Sequence, residues 1–333
     1  MRRAVAKGVM LFCALVPVCA TAAPGDEVYA RPGRMVHTEG TRLNLYCTGS
    51  GSPAVVFESG WEDWAPVWAI VQPRVAQWTR ACSYDRAGAG FSDPGRLPRS
   101  AVRIADELHQ ALRHAGEKGP FILVGHAFGG VLIRTFAQRH LADVAGLVFV
   151  EADVPGLDEH RNDTGPITSL RTCRDAIVSG APLPGLPTKD GGTARDCAQQ
   201  FFRGLPEQQW SAALNTQLLQ LARTKPALYD SYISEMEQMP GNEKYLSRQS
   251  LSLGPRPVRV LSTGYHGIHA LDPGHPKTPE QQRYEDRVAQ AQAQWLALSS
   301  NARQTFVPDS SEYIPFDQPD AVVSAIREVY DAQ

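Results

Sequence analysis

The 333-residue chain balances 33 Lys and Arg against 35 Asp and Glu, a formal net charge of −2 at pH 7, and 43% of it is hydrophobic. That balance argues for a soluble protein and against nucleic acid or an anionic membrane surface as partner. The length suffices for one large α/β domain carrying an insertion.

The chain opens on Met1-Arg2-Arg3 and Lys7, followed by an apolar run from Gly8 to Ala20 and the small-residue site Ala20-Thr21-Ala22. Residues 1–22 read as a secretory signal peptide, too short and too weakly flanked for a membrane span. Val16-Pro17-Val18 before Cys19 lacks the small residues of a lipidated cysteine. The expectation is an exported protein, secreted or periplasmic. Of the six cysteines, Cys47, Cys82, Cys173 and Cys197 lie beyond that segment. Four cysteines in an exported chain suggest two disulfides, with three connectivities open. No Cys-x-x-Cys and no histidine cluster of ligand spacing occurs, so neither a metal nor a cofactor is expected.

Along the chain, Leu43-Asn44-Leu45-Tyr46-Cys47 alternates as a strand, residues 49–53 turn, and Ala54-Val55-Val56-Phe57 forms a buried strand. The loop Glu58-Ser59-Gly60-Trp61-Glu62-Asp63-Trp64 precedes a helix reaching Val75. A strand over 79–84 runs into Asp85-Arg86-Ala87-Gly88-Ala89-Gly90-Phe91-Ser92. Ile104, Leu108, Ala111 and Leu112 give an apolar face to a helix over about 101–114. Then comes Phe121 to His140: an apolar strand, the turn Gly125-His126-Ala127-Phe128-Gly129, and a helix. The strand Val144 to Val150 ends at Glu151. From about 155 to 255 the alternation stops; Pro and Gly are dense between 156 and 192. Two amphipathic helices follow, one with Trp210, Leu214, Leu218 and Leu221 on a face, the other with Tyr229, Tyr232, Ile233 and Met236. The pattern resumes with a strand over 258–262, a loop carrying His266, His269 and His275, and a helix over 281–298. A last strand over 303–307 and a closing helix over 320–330 complete it. Alternating strands and helices are the pattern of a mostly parallel sheet covered on both faces.

The turn at 125–129 has the small-residue frame of the Gly-x-Ser-x-Gly nucleophile elbow, with alanine at the tip. Together with Tyr84-Asp85-Arg86-Ala87-Gly88, Gly129-Gly130, and Ser311-Glu312-Tyr313-Ile314 before the closing helix, it makes the chain resemble the α/β-hydrolase family over residues 23–333. The resemblance implies an α/β-hydrolase fold: core over 23–155 and 256–333, with a helical lid over 156–255. It also implies that the second strand runs beside the fourth. Cys47 would then pair with Cys82, and Cys173 with Cys197 within the insertion.

Family members read Gly-His-Ser-x-Gly-Gly at the elbow and place a histidine after the last strand. This chain departs at both places, with Ala127 in the nucleophile position and Glu312 in that of the histidine. The acid maps to Glu151, with Asp272 as alternative and Asp153 as a weaker one. The oxyanion donors map to the backbone N–H groups of Trp61 and Phe128. A methyl group cannot attack a carbonyl, and a carboxylate is a far weaker base than imidazole near neutrality. Ser310 and Ser311 lie on the loop of Glu312 rather than at the elbow, and His126 suits a packing or backbone-bonding role. The expected function is a catalytically inactive hydrolase-fold protein that keeps a pocket for a small, largely apolar ligand. The alternative is an active ester or amide hydrolase, either through an unrecognised constellation, such as water activated by His269, or in a parent form with serine and histidine restored. Oligomeric state is not readable from the residues.

Overall fold

The computed structural model describes residues 25–156, 165–186, 195–200, 210–263, 278–308 and 310–333. Eight strands form the central sheet: β1 (Arg34–Thr38), β2 (Thr41–Thr48), β3 (Val55–Glu58), β4 (Ala81–Asp85), β5 (Phe121–His126), β6 (Val144–Val150), β7 (Val258–Ser262) and β8 (Ala302–Phe306). Their order is β1-β2-β4-β3-β5-β6-β7-β8, and the pairings from β4 onward are parallel. β2 is antiparallel to both β1 and β4. Its register sets Cys47 opposite Cys82, and a disulfide joins them. β1 is absent from the sequence reading, because only Val36 of its five residues is buried and an edge strand leaves little apolar pattern.

The inner strands are buried on both faces, and the period of two divides them between two cores. Val55, Phe57, Ile122, Val124, Val148 and Val150 face one side. There they meet the 65–75 segment and the closing helix α7 (Pro319–Asp331) through Val322, Ile326 and Val329. Val56, Phe121, Leu123, Leu147 and Phe149 face the other. That side is covered by α1 (Ala101–Ala115), α2 (Phe128–Arg139) and the segment around Trp295 that follows α6 (Pro279–Gln292). α1 starts where Ser100 accepts the Arg103 N–H and stops at Gly116, whose φ of 82° suits glycine.

Between β6 and β7 lie α3 (Gly165–Ser179), α4 (Ala212–Thr224) and α5 (Pro226–Ser247). α3 falls inside the Pro- and Gly-rich stretch, to which the sequence reading assigned no element. Its one proline, Pro166, sits in the first turn, where the missing N–H costs nothing, and Gly180 at φ 70° ends it. A disulfide joins Cys173 of α3 to Cys197. α3 packs along α5, while Trp210, Leu214 and Leu218 of the α4 region are buried in the same core as Tyr229 and Tyr232 of α5.

Candidate functional site

The carboxyl ends of β3, β5, β6 and β7 bring the candidate residues together. β5 ends in His126, and Ala127 turns the chain at φ 46°, ψ −121° before α2 begins at Phe128. Left-handed φ costs a residue with a β-carbon about 1–3 kcal/mol, so this tip is held by its surroundings. Ala127 N–H donates to Val150 O at 3.2 Å, and Ala127 O accepts from Gly130 and Asp153 N–H at 2.9 and 3.0 Å. The flanking glycines are sterically required. A Cβ on Gly125 would lie 2.5 Å from Gly129 O, and one on Gly129 would collide with Glu58 O. Phe128 N–H opens a twelve-residue helix, where the first amides lack intrahelical partners and the dipole favours negative charge.

The loop after β3 reaches the same point. A Cβ on Gly60 would sit 3.3 Å from Ala127 Cβ, 3.2 Å from His126 Nδ1 and 3.0 Å from Asp63 Oδ2. Gly60 thus leads directly into Trp61 beside the elbow tip. Trp61 is tied in place by its indole N–H, which donates to Tyr232 O at 2.9 Å.

Glu312 comes to the elbow through its backbone: His126 Nε2 donates to Glu312 O at 3.0 Å. His126 is therefore bonded to the backbone, and its ring lies 5.1 Å from that of Tyr313. The loop bearing Glu312 is fastened by Ser311, whose N–H and hydroxyl both donate to Asp317 at 2.8 and 2.6 Å. Glu151, at φ 39° just past β6, is buried and accepts the Thr263 N–H on Oε2 at 2.5 Å. Asp153 is exposed, its N–H spent on Ala127 O. Asp272, His266, His269 and His275 lie outside the described residues.

Several residues around this point escaped the sequence reading. His126 Nδ1 faces Asp63 Oδ2 at 3.6 Å. Burial opposes charge on the ring, but Asp63 and Glu312 outweigh it and hold the imidazole above its ordinary pKa. Glu62, at φ 65°, has its carboxyl pushed up to about 8 by burial and by the charge of Asp63. Behind the loop, Glu58 accepts Tyr84 Oη–H at 2.5 Å and Arg86 Nη1–H at 3.1 Å. Burial lifts its carboxyl to about 7 against the pull of Arg86. A small cavity of about 10 Å³, room for about one water, lies among Glu62, Asp63, Trp64, Trp210 and Leu218. The adjacent acids in Trp-Glu-Asp-Trp were the visible signal, since two carboxylates between tryptophans are unusual for a solvent loop.

With Ala127 at its tip, the elbow presents a methyl group, which cannot form an acyl intermediate.

A family model described as the alpha/beta hydrolase family matches residues 47–325. The "Probable transporter efuK" of Hormonema carpetanum is 29% identical over 306 residues, covering 85% of this chain, which spans only 40% of that relative's length. An "AB hydrolase superfamily protein" of Gibberella zeae is 24% identical over 301 residues, covering 83% of this chain and 86% of the relative. Among solved structures, a thermophilic esterase from Thermogutta terrifontis, described as malate bound, superposes with a TM-score of 0.56 at 20% identity. That likeness covers 90% of this chain and 97% of the esterase. The strand order, the elbow between β5 and α2 and the extent of the family match together place this chain in the alpha/beta hydrolase family.

Proposed function

We propose that this protein is a non-hydrolytic member of its family, which binds a small, largely apolar ligand carrying a carbonyl or carboxylate oxygen and does not turn it over. The observation that carries the reading is Ala127 at the elbow tip, reinforced by Glu312 at the position that the family gives to histidine. The oxygen would be received by the N–H groups of Trp61 and Phe128, and the apolar part would widen the small space beside Trp64, Trp210 and Leu218, beneath the insertion helices. Export through residues 1–22 fits the two disulfides. The ligand is a small molecule; nucleic acid and membrane lipid are not partners on this reading.

The purified chain should hydrolyse p-nitrophenyl acetate and butyrate no faster than backbone donors alone allow. Losing a triad serine or histidine costs on the order of 10⁶ in turnover in a well-studied serine protease, and the losses are not additive. Ala127→Ser alone should therefore recover little, and Ala127→Ser with Glu312→His much more. A small carboxylate or ketone that raises the melting temperature and is recovered unchanged would support binding. Robust turnover by the unaltered chain would overturn the reading.

The strain kept at Ala127 favours a second reading. Alanine gains nothing from φ 46°, whereas a serine would be presented by it, so the frame is that of an ester or amide hydrolase whose activity returns with the two substitutions.

A further inference from the structure

Arg86, in the loop after β4, is 2% exposed and uses all five of its guanidinium donors. Nε and Nη2 form a fork with Glu235 of α5 at 2.9 and 3.0 Å. Nη1 reaches Glu58 at 3.1 Å and Ser59 O at 2.8 Å, and Nη2 reaches Gly60 O at 2.7 Å. One side chain thus grips two successive carbonyls of the loop that leads into Trp61 and joins them to the insertion. The Trp61 indole to Tyr232 O bond ties the same loop to the same helix from the other side. Arg86 also lies 6.0 Å above the Phe128 ring, so it reaches Phe128 as well as the Gly60 carbonyl that precedes the Trp61 amide.

The rest of α5 is held in the same way. Lys225 Nζ donates to Gly90 O and Ser92 O at 2.7 and 2.6 Å, and Ser231 Oγ donates to Ala87 O at 2.8 Å. Arg99 N–H donates to Ser234 Oγ and Ala101 N–H to Asn242 Oδ1, both at 2.9 Å. Polar contacts run from residue 225 to residue 242, most of them buried. Lifting this helix would strip partners from several buried polar groups at once.

We propose that Arg86 and Glu235 are positioning residues for the oxyanion cradle: they clamp the Ser59–Gly60–Trp61 backbone to α5, making that helix a fixed wall of the site rather than a moving cover. The donor amide of Trp61 is then oriented from the insertion, through the Gly60 carbonyl of its own peptide unit. The proposal deepens the ligand-binding reading and rests on it for the use of that amide. The clamp itself is tested without any ligand.

Amide hydrogen exchange on the full chain at pH 7 is the test, comparing Arg86→Lys, which keeps the charge and loses the fork, and Glu235→Gln, which keeps the shape and loses the charge. Exchange in peptides covering 59–64 should quicken about tenfold or more in both, with β5 and β6 unchanged. Unchanged exchange over 59–64 would overturn the clamp. So would an equal acceleration across β5 and β6, which marks a general loss of stability. If Arg86→Lys fails to fold, Glu235→Gln carries the same reading. Trp61→Phe, which removes the indole N–H and keeps an aromatic ring, should loosen 59–64 to a smaller degree. Local loosening in a protein for which no ligand is found leaves the clamp standing and removes the pocket reading. Ligand binding with unchanged exchange does the reverse.

Discussion

At the scale of the residue, Ala127 stands where the family pattern has serine and Glu312 where it has histidine. Ala127 removes the nucleophile while keeping a strained backbone, so replacing it with glycine should relieve strain that alanine has no chemical use for. The strain is about 1–3 kcal/mol and glycine's extra chain entropy takes back about 0.5–1. Ala127→Gly should therefore raise stability by about 1 kcal/mol in denaturant unfolding; a loss of stability would show that the tip is not strained. Glu58 offers a separate test at its own position. Its folded pKa, about 7, lies above the ordinary 4.5. A raised carboxyl binds its proton more tightly folded than unfolded. Its stabilising share is thus complete below about pH 4.5 and is lost as pH rises through about 7. Glu58→Gln should consequently compare better with the parent at pH 8 than at pH 5. Equal differences in denaturant midpoint at the two pH values would mean that Glu58 does not titrate there.

At the scale of the element, the elbow depends on glycines whose neighbours are backbone and cannot move aside. Gly125 faces Gly129 O and Gly129 faces Glu58 O. Overpacking in a close-fitted site costs about 1–3 kcal/mol, and a backbone neighbour puts Gly129→Ala at the upper end. Thermal unfolding should show it clearly destabilised, in contrast to Ala127→Gly two residues earlier. α1 provides a milder comparison: Ser100→Ala removes the side chain that accepts the Arg103 N–H and should cost about 1 kcal/mol. α5 behaves as part of the core, since Tyr229, Tyr232 and Glu235 are fully buried.

At the scale of the whole molecule, the two disulfides fasten different parts. Cys47–Cys82 closes 35 residues across β2 and β4, while Cys173–Cys197 closes 24 within the insertion. Each should contribute about 3–4 kcal/mol by restricting the unfolded chain. Replacing the second pair by alanine should lower stability and speed proteolysis within the insertion, leaving the sheet resistant. Peptide mapping without reduction that links Cys47 to Cys173 or Cys197 would contradict the arrangement. Two cores on either face of one sheet explain why the family's strand order survives at low identity. Each strand needs only an apolar residue of suitable size every second position.

The order of strands and helices, the elbow and its missing serine were legible in the chain, because a fully buried strand, an amphipathic helix and a glycine-framed turn each leave a local pattern. Ala127 could be placed at the tip for that reason, whereas Phe128 and Trp61 were assigned through the family resemblance. β1 and α3 were not legible: an edge strand has one buried residue, and α3's proline sits at a helix start that composition cannot distinguish from a loop. The surroundings of the site were hidden more thoroughly. Nothing near Arg86 in sequence announces Glu235, 149 residues away, and nothing near His126 announces the carbonyl of Glu312, 186 residues away. Periodicity and turn chemistry act over a few residues, and so the sequence by itself determined the frame and the alanine at the elbow tip. Which buried charges meet behind the cradle was decided by the tertiary structure alone, because a polar group taken out of water must find its partner wherever the fold brings one.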